Sequence, residues 1–186
     1  ASSPDDLRAI LALQRRNLKG HVPEDEAASQ GFVTVEHTLD VPERMQAQLP
    51  HVVASIDGAL AGYALSMDRA CRAFLPVLVP MFAQLDSLEW RGAPLRELRT
   101  YVMGQICIDR PARGMGLFDA LYAEHRRRFG DRFDAIVTEI SARNGRSLAA
   151  HARVGFEIAH RVHDATAELA KGRAAAVTPI LFQGAR

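Results

Sequence analysis

Cysteine is scarce in this chain: Cys71 and Cys107 are the two in 186 residues. Two thiols make neither a disulfide framework nor a zinc site, and a chain without disulfides is expected in a reducing, cytoplasmic setting. No apolar run is long enough to span a bilayer. The opening ASSPDDL is polar and lacks the charged-then-apolar order of a secretory signal. Excess charge is missing too. Lys+Arg number 23 and Asp+Glu 22, a formal net charge of +1, so neither a nucleic acid nor a membrane surface is expected as the main partner. The basic run His125-Arg126-Arg127-Arg128 reads as a solvated last helical turn that complements the helix dipole. Internal repeats, low-complexity tracts and linkers are absent as well, which leaves one domain over 1–186. Hydrophobic residues at 48% and charged residues at 24% are enough to build a core.

What is present is an orderly series of elements. Ser3, Pro4 and Asp6 mark a helix start: an N-cap, a proline at the first helical position and an acid at the third. Leu7, Ile10, Leu11 and Leu18 then share one face, and Gly20 is the expected stop. A polar stretch, HVPEDEAASQGF, has room for a second short helix. Val52–Ile56 and Leu60–Met67 flank Asp57-Gly58, a strong hairpin signal. Pro80 is placed to open a helix with Met81, Leu85 and Leu88 on its inner face. The Pro-containing segment from Val77 to Met81 is a dimer contact, a pocket wall or core. A strand is expected over Tyr101–Ile108, a helix over Leu117–Phe129, a strand over Phe133–Ile140 and a helix over Ser147–Val154. Phe156–Val162 and Val177–Phe182 read as a closing antiparallel pair, with Pro179 suggesting an edge strand. The order predicts an α/β fold: a mixed, mostly antiparallel twisted sheet with a central strand-helix-strand crossover.

The segment RPARGMGLFDALY carries the chemistry. A glycine loop running from a strand into a helix points free backbone N–H groups at an anion. A nucleotide-hydrolase loop would need Gly-Lys-Ser/Thr, yet Gly116 is followed by Leu117 and Phe118. A dinucleotide fingerprint would need a third glycine where Asp119 stands. The pattern Arg113-Gly114-Met115-Gly116-Leu117-Phe118 instead resembles the signature of the GNAT superfamily of N-acetyltransferases. A second stretch agrees with that resemblance. Asn144 precedes a helix, and His151 stands four residues before Gly155-Phe156, where the family often has Tyr. The likeness spans roughly Pro4 to Phe182 and is most specific from Gly104 to Phe156. Family members usually begin with a strand ahead of the first helix, and here the helix comes first.

The resemblance implies a GNAT-like fold and an acetyl-CoA cosubstrate, with no metal. The loop amides from Arg113 through Gly114, Met115, Gly116, Leu117 and Phe118 would hold its diphosphate, the Phe118 ring pointing into the core. Ile106, Cys107 and Ile108 would offer backbone groups to the pantetheine arm, and Asn144 and Ser147 would bind that arm or cap the helix. His151 becomes the candidate acid for the leaving thiolate. Glu139 closes an otherwise apolar strand at its C-terminal end. Partial burial there would raise its pKa and suit it to take the amine proton; the alternative is a carboxylate tied to Arg143 or to loop amides. Cys107 is either an acyl carrier or a small buried hydrophobe. Tyr63, Met81, Phe82 and Tyr101 either line the acceptor pocket or belong to the core. The acidic run Glu24-Asp25-Glu26 is an exposed loop that would also attract a cationic amine. The expected activity is direct transfer of an acetyl group to a primary amine, with a small molecule as the expected acceptor, a peptide N-terminus or lysine as the alternative, and a homodimer among the expected assemblies. The alternative is a coenzyme-binding module with weak or lost chemistry.

Overall fold

A computed structural model describes residues 3–18, 21–22, 33, 35–141, 144–163 and 174–181. Gly20, a second short helix within 23–32, the acidic run Glu24–Glu26, Arg143 and Phe182 lie outside these residues.

The first helix, α1 (Pro4–Arg16), starts on a capping box. Ser3 Oγ accepts from Asp6 N–H at 3.1 Å, and an Asp6 carboxylate oxygen accepts from Ser3 N–H at 2.6 Å. It ends at Asn17, and Leu18 bridges to Val33 outside the helix. After α2 (Asp40–Gln48), β1 (Val52–Ile56) and β2 (Ala59–Met67) form the expected hairpin across Asp57-Gly58, whose φ angles of 51° and 79° suit that dipeptide. Pro80 lies in the first turn of α3 (Val79–Ser87), but the helix buries Phe82 and Leu85, with Met81 and Leu88 only half-buried. A short hairpin follows, β3 (Glu89–Trp90) with β4 (Ala93–Pro94). Then come β5 (Thr100–Ile108), α4 (Leu117–Phe129), β6 (Ala135–Ser141), α5 (Gly145–Arg153), β7 (His160–His163) and β8 (Ala174–Leu181).

The main sheet has six strands in the order β1-β2-β5-β6-β8-β7. Every neighbouring pair is antiparallel except β5 with β6, which α4 joins as a crossover. Among the described residues no strand precedes α1, and β1 forms the sheet edge. β8 is not the edge strand that Pro179 suggested, because it lies between β6 and β7. The local logic still holds. Among the described residues β7 pairs only with Ala174–Val177, so Pro179 sits where β8 has β6 on one side and no described strand on the other. Phe156 falls outside β7; its ring packs edge-on against Tyr122 and His151, at 5.1 and 4.8 Å between centroids.

A bulge in β5 sets the geometry of the site. Leu65 pairs with Gln105 and Ser66 with Met103, so Gly104 has no partner on β2. An extra residue shifts the alternation of side chains by one. Before the bulge, Tyr101 and Met103 face the core layer that α4 covers; after it, Ile106 and Ile108 do. Val102 and then Cys107 face the opposite layer, built on Leu7, Ile10, Leu13 and Met45. The parallel ladder with β6 ends just before the bulge, after Thr100–Ala135, Tyr101–Ile136 and Val102–Val137. Beyond that point the two strands part, and the Thr138 hydroxyl donates to Met103 O at 2.9 Å where they begin to diverge.

The basic turn of α4 corrects one expectation. Arg126 and Arg127 are exposed, but His125 is fully buried, and its Nδ1 shares a 3.0 Å hydrogen bond with the Tyr101 hydroxyl. Leu121, Tyr122 and Phe129 complete the buried face of α4. Truncation of Leu121, 2% exposed, to Ala is expected to cost about 2–5 kcal/mol of unfolding free energy in urea denaturation. A loss under about 1 kcal/mol would mean that α4 does not pack on the sheet as described.

Candidate active site

The loop after β5 begins with a single turn over Arg110–Ala112, capped by Asp109, whose carboxylate accepts from Arg110 N–H at 2.9 Å and pairs with Arg16 at 3.0 Å. Gly114 and Gly116 take φ angles of 82° and 78°, a left-handed conformation that suits glycine. These two turns leave the loop amides in front of α4. The first helical bond of α4 runs from Ala120 N–H to Gly116 O, 3.1 Å. Among the described residues, nothing accepts a hydrogen bond from the amides of Gly114 to Asp119. A run of unpaired donors at a helix N-terminus is what a diphosphate needs, with no lysine or metal.

Side chains hold the loop in place. The Arg113 guanidinium donates to Asn17 Oδ1 at 2.8 Å and reaches Ile108 O at 3.5 Å, so its side chain braces the loop. The Phe118 ring lies 5.1 Å from Tyr122 and 5.0 Å from His151, half-buried against the core, as expected from its helical spacing. Met115 is 60% exposed and takes no part in the cavity lining. Asp119 pairs with Arg153 of α5 at 2.7 Å, which offsets its charge beside the loop. Sequence reasoning missed Arg153, because the two residues meet only when α5 packs beside α4.

Two cavities adjoin at the parting of β5 and β6. The first, about 600 Å3, runs from the loop along Ile106, Cys107 and Ile108 to the wall of α5. The second, about 400 Å3, lies between Val33, the segment from Val35 to Met45, residues Met103–Ile106 of β5 and Thr138–Ile140 of β6. Val33, Ile106, Asn144 and Ser147 line both. A long thin molecule held at the loop would therefore end at the chamber behind Ile106.

The remaining candidates fall as follows. Asn144, not Ser147, caps α5, its Oδ1 accepting from Ser147 N–H at 3.0 Å. Ser147 lines both cavities, and its hydroxyl lies 3.3 Å from His151 Nδ1. His151 is 2% exposed. Its Nδ1–H donates to Ser147 O at 2.7 Å, and Nε2 accepts from the Tyr122 hydroxyl at 2.8 Å. Burial lowers its pKa to about 4, against the smaller opposing effect of the Ser147 bond. The ring is therefore neutral with both nitrogens engaged, a poor source of a proton. Glu139 lines the second cavity but is exposed and already has an interaction of its own, so the burial expected to raise its pKa is not found. Cys107 is 8% exposed, and burial pushes its thiol up to about 12, which suits a hydrophobe and not an acyl carrier. Tyr63, Phe82 and Tyr101 are core residues, Met81 is half-buried beside the core, and none of the four lines either cavity.

A polar network that the sequence did not reveal pins the second cavity's wall. Gln105 Oε1 accepts from Tyr63 OH at 2.6 Å and from Gln14 Nε2 at 2.7 Å, and Gln105 Nε2 donates to Val35 O at 3.0 Å. Gln14 Oε1 accepts from His37 N–H at 2.7 Å. The segment around Val35 and His37 is thus fastened to α1 and β5.

No protein-family model matches the chain, and no curated protein does. Solved structures do match. A GNAT family acetyltransferase from Streptococcus agalactiae superposes with a TM-score of 0.66 at 13% identity, covering 98% of this chain and 94% of that one. The ribosomal-protein-S18-alanine N-acetyltransferase of Escherichia coli gives 0.64 at 15% identity, covering 100% and 94%. The fold is that of the GNAT acetyltransferases. A third match, from Salmonella typhimurium and solved with acetyl-CoA as its cofactor, gives 0.61 at 15% identity, covering 100% and 93%. On the GNAT fold of this chain, the loop, the gap beside β5 and the second chamber follow one another without a break.

Three buried histidines give the fold a common acid sensitivity. Burial lowers the pKa of His51 to about 4 and of His125 to about 3, beside about 4 for His151. Each is below the unfolded value of about 6.5. Between pH 6.5 and about 4 the unfolded chain therefore binds protons that the folded one refuses. Stability is full above that window and falls as pH drops through it, by up to about 1.4 kcal/mol per pH unit for each ring. Urea unfolding at pH 7.5, 6 and 5 is expected to show a steepening decline, and equal free energies at the three values would refute it.

Proposed function

We propose that the protein is an acetyl-CoA-dependent N-acetyltransferase that passes an acetyl group directly to a primary amine in a ternary complex. The observation that carries this reading is the row of unpaired amides from Gly114 to Asp119 opening into a cavity that meets a second chamber at Ile106. The amides bind the diphosphate of acetyl-CoA, and Arg113 keeps their loop in register with α1. Arg146, which also lines the cavity, adds positive charge near the phosphates.

The pantetheine arm follows Ile106–Ile108, where β5 has β2 on one side and no longer β6 on the other. A β5 amide there polarises the thioester carbonyl. The acceptor sits in the second chamber. Its nitrogen attacks the carbonyl carbon, the C–N bond forms, and the C–S bond breaks with its electron pair going to sulfur. A thiol of pKa near that of cysteine, about 8.5, leaves readily when a hydroxyl donates a hydrogen bond to it. Ser147, which lines both cavities and whose hydroxyl oxygen lies against His151 Nδ1, is the side chain suited to that.

Gly116→Val tests the loop. No protein atom lies within 4 Å of an added Cβ at this position, so the effect is on the backbone. A β-branched residue disfavours φ near 78° and would turn the amides away. Acetyl-CoA affinity by titration calorimetry is expected to fall at least tenfold while the circular dichroism spectrum is retained. Unchanged affinity in the folded variant would refute the loop assignment, and binding without thiol release to any amine would favour a binding module.

A further inference from the structure

Four titratable side chains among the described residues line the second chamber: Glu36, His37, Glu139 and His151. Three are occupied. The Glu36 carboxylate pairs with Arg15 at 3.1 Å. Glu139 has its own interaction. Both ring nitrogens of His151 are bonded, to Ser147 O and the Tyr122 hydroxyl. His37 differs. Its backbone N–H is held by Gln14, while among the described residues nothing hydrogen-bonds its ring. Gln105 grips Val35 O two residues earlier, so the backbone on either side of Glu36 is fixed and the ring has a defined place in the wall.

The chamber's own chemistry is apolar. Met45, Met67 and Met103 lie in its wall with Leu75, Leu78 and Ile140. Methionines adapt to the shape of what they touch. The Thr138 hydroxyl and the Gln105 amide are both consumed by bonds within the protein, so the deeper wall offers little to a polar guest. Polar groups are left near Glu36, His37 and the junction with the first cavity.

We infer that the chamber takes a primary amine carried on an apolar, alkyl-like body, and that His37 is the catalytic base that removes its proton. This rests on the transferase reading above. The body fills the space among the methionines, and the nitrogen stands between His37 and the thioester carbonyl at Ile106. As the C–N bond forms and the C–S pair goes to sulfur, the proton leaves nitrogen for the free ring nitrogen of His37. Burial keeps that ring below its ordinary value of 6.5, so it is neutral and ready to accept at neutral pH. The charges that bear on it are Glu36 with Arg15 beside it, Asp40 at the start of α2, Glu139 across the chamber, and the neutral rings of His51 and His151.

The test is thiol release from acetyl-CoA with a series from ethylamine to octylamine, against ethanolamine and glycylglycine, beside calorimetric binding of acetyl-CoA. kcat/KM is expected to rise about fourfold per methylene until the chamber is full, with the two polar amines poor acceptors. In His37→Gln, kcat with hexylamine is expected to fall about 100-fold or more at unchanged acetyl-CoA affinity and unchanged KM for hexylamine, with added imidazole restoring part of the loss. The acid limb of the wild-type kcat profile is expected to vanish in the variant. A flat response to chain length, or a preference for the polar amines, overturns the apolar acceptor. Wild-type kcat and pH profile in folded His37→Gln overturns the base. Binding of acetyl-CoA with no alkylamine turned over overturns this inference alone, whereas no binding of acetyl-CoA overturns the transferase reading and this with it.

Discussion

The parallel ladder between β5 and β6 stops after three residue pairs, and both cavities occupy the gap that follows. Parallel strands are normally buried along their whole length. Here the bulge at Gly104 bends β5 and reverses its side-chain alternation, so the strand that begins as core becomes the floor of a cavity within a few residues. Past the bulge, Ile106 and Ile108 keep an apolar face toward α4 while their backbone lies open on the β6 side. The Thr138 hydroxyl on Met103 O satisfies one carbonyl at the point of divergence and keeps the gap from widening at its base. The loop, the helix it precedes and α5 then close around that opening.

How much of this was legible depended on whether the cause was local. The Asp57-Gly58 hairpin, the helix over Leu117–Phe129 and the loop of Gly114 and Gly116 were readable because each follows from a residue's own backbone preference or from helical spacing. The place of β8 between β6 and β7 was not, since Pro179 reports only its own missing donor. Gly104 stood in plain view, but a glycine in a strand does not reveal whether the ladder skips it. The site split along the same line. The glycine loop ahead of α4 came from local pattern. His37, Gln14 and Gln105 went unnoticed, because their roles arise from contacts between α1, β5 and the segment around Val35, far apart in sequence.

Histidine showed the limits of reading by residue type. His151 stands at a motif position that suggested proton donation, yet it is a buried hydrogen-bonding hinge between α5 and Tyr122. His125 looked like part of a solvated basic turn and is instead stacked on Tyr101 under α4. His51 extends the sheet: β1 pairs with β2 only to Ala64, and His51 Nδ1 accepts the next outward amide, Ser66 N–H, while Nε2–H donates to Pro42 O in α2. His51 and His151 each use one ring donor and one ring acceptor to join two elements that no backbone ladder connects, whereas among the described residues His125 bonds through Nδ1 alone.

Asn17, where α1 ends, has a further consequence. Its side-chain oxygen accepts from Arg113 at the start of the anion loop, and its backbone oxygen accepts from Val33 N–H at 2.9 Å. Val33 borders both chambers. A single amide residue therefore ties the glycine loop to the border of both cavities along a route that bypasses the sheet.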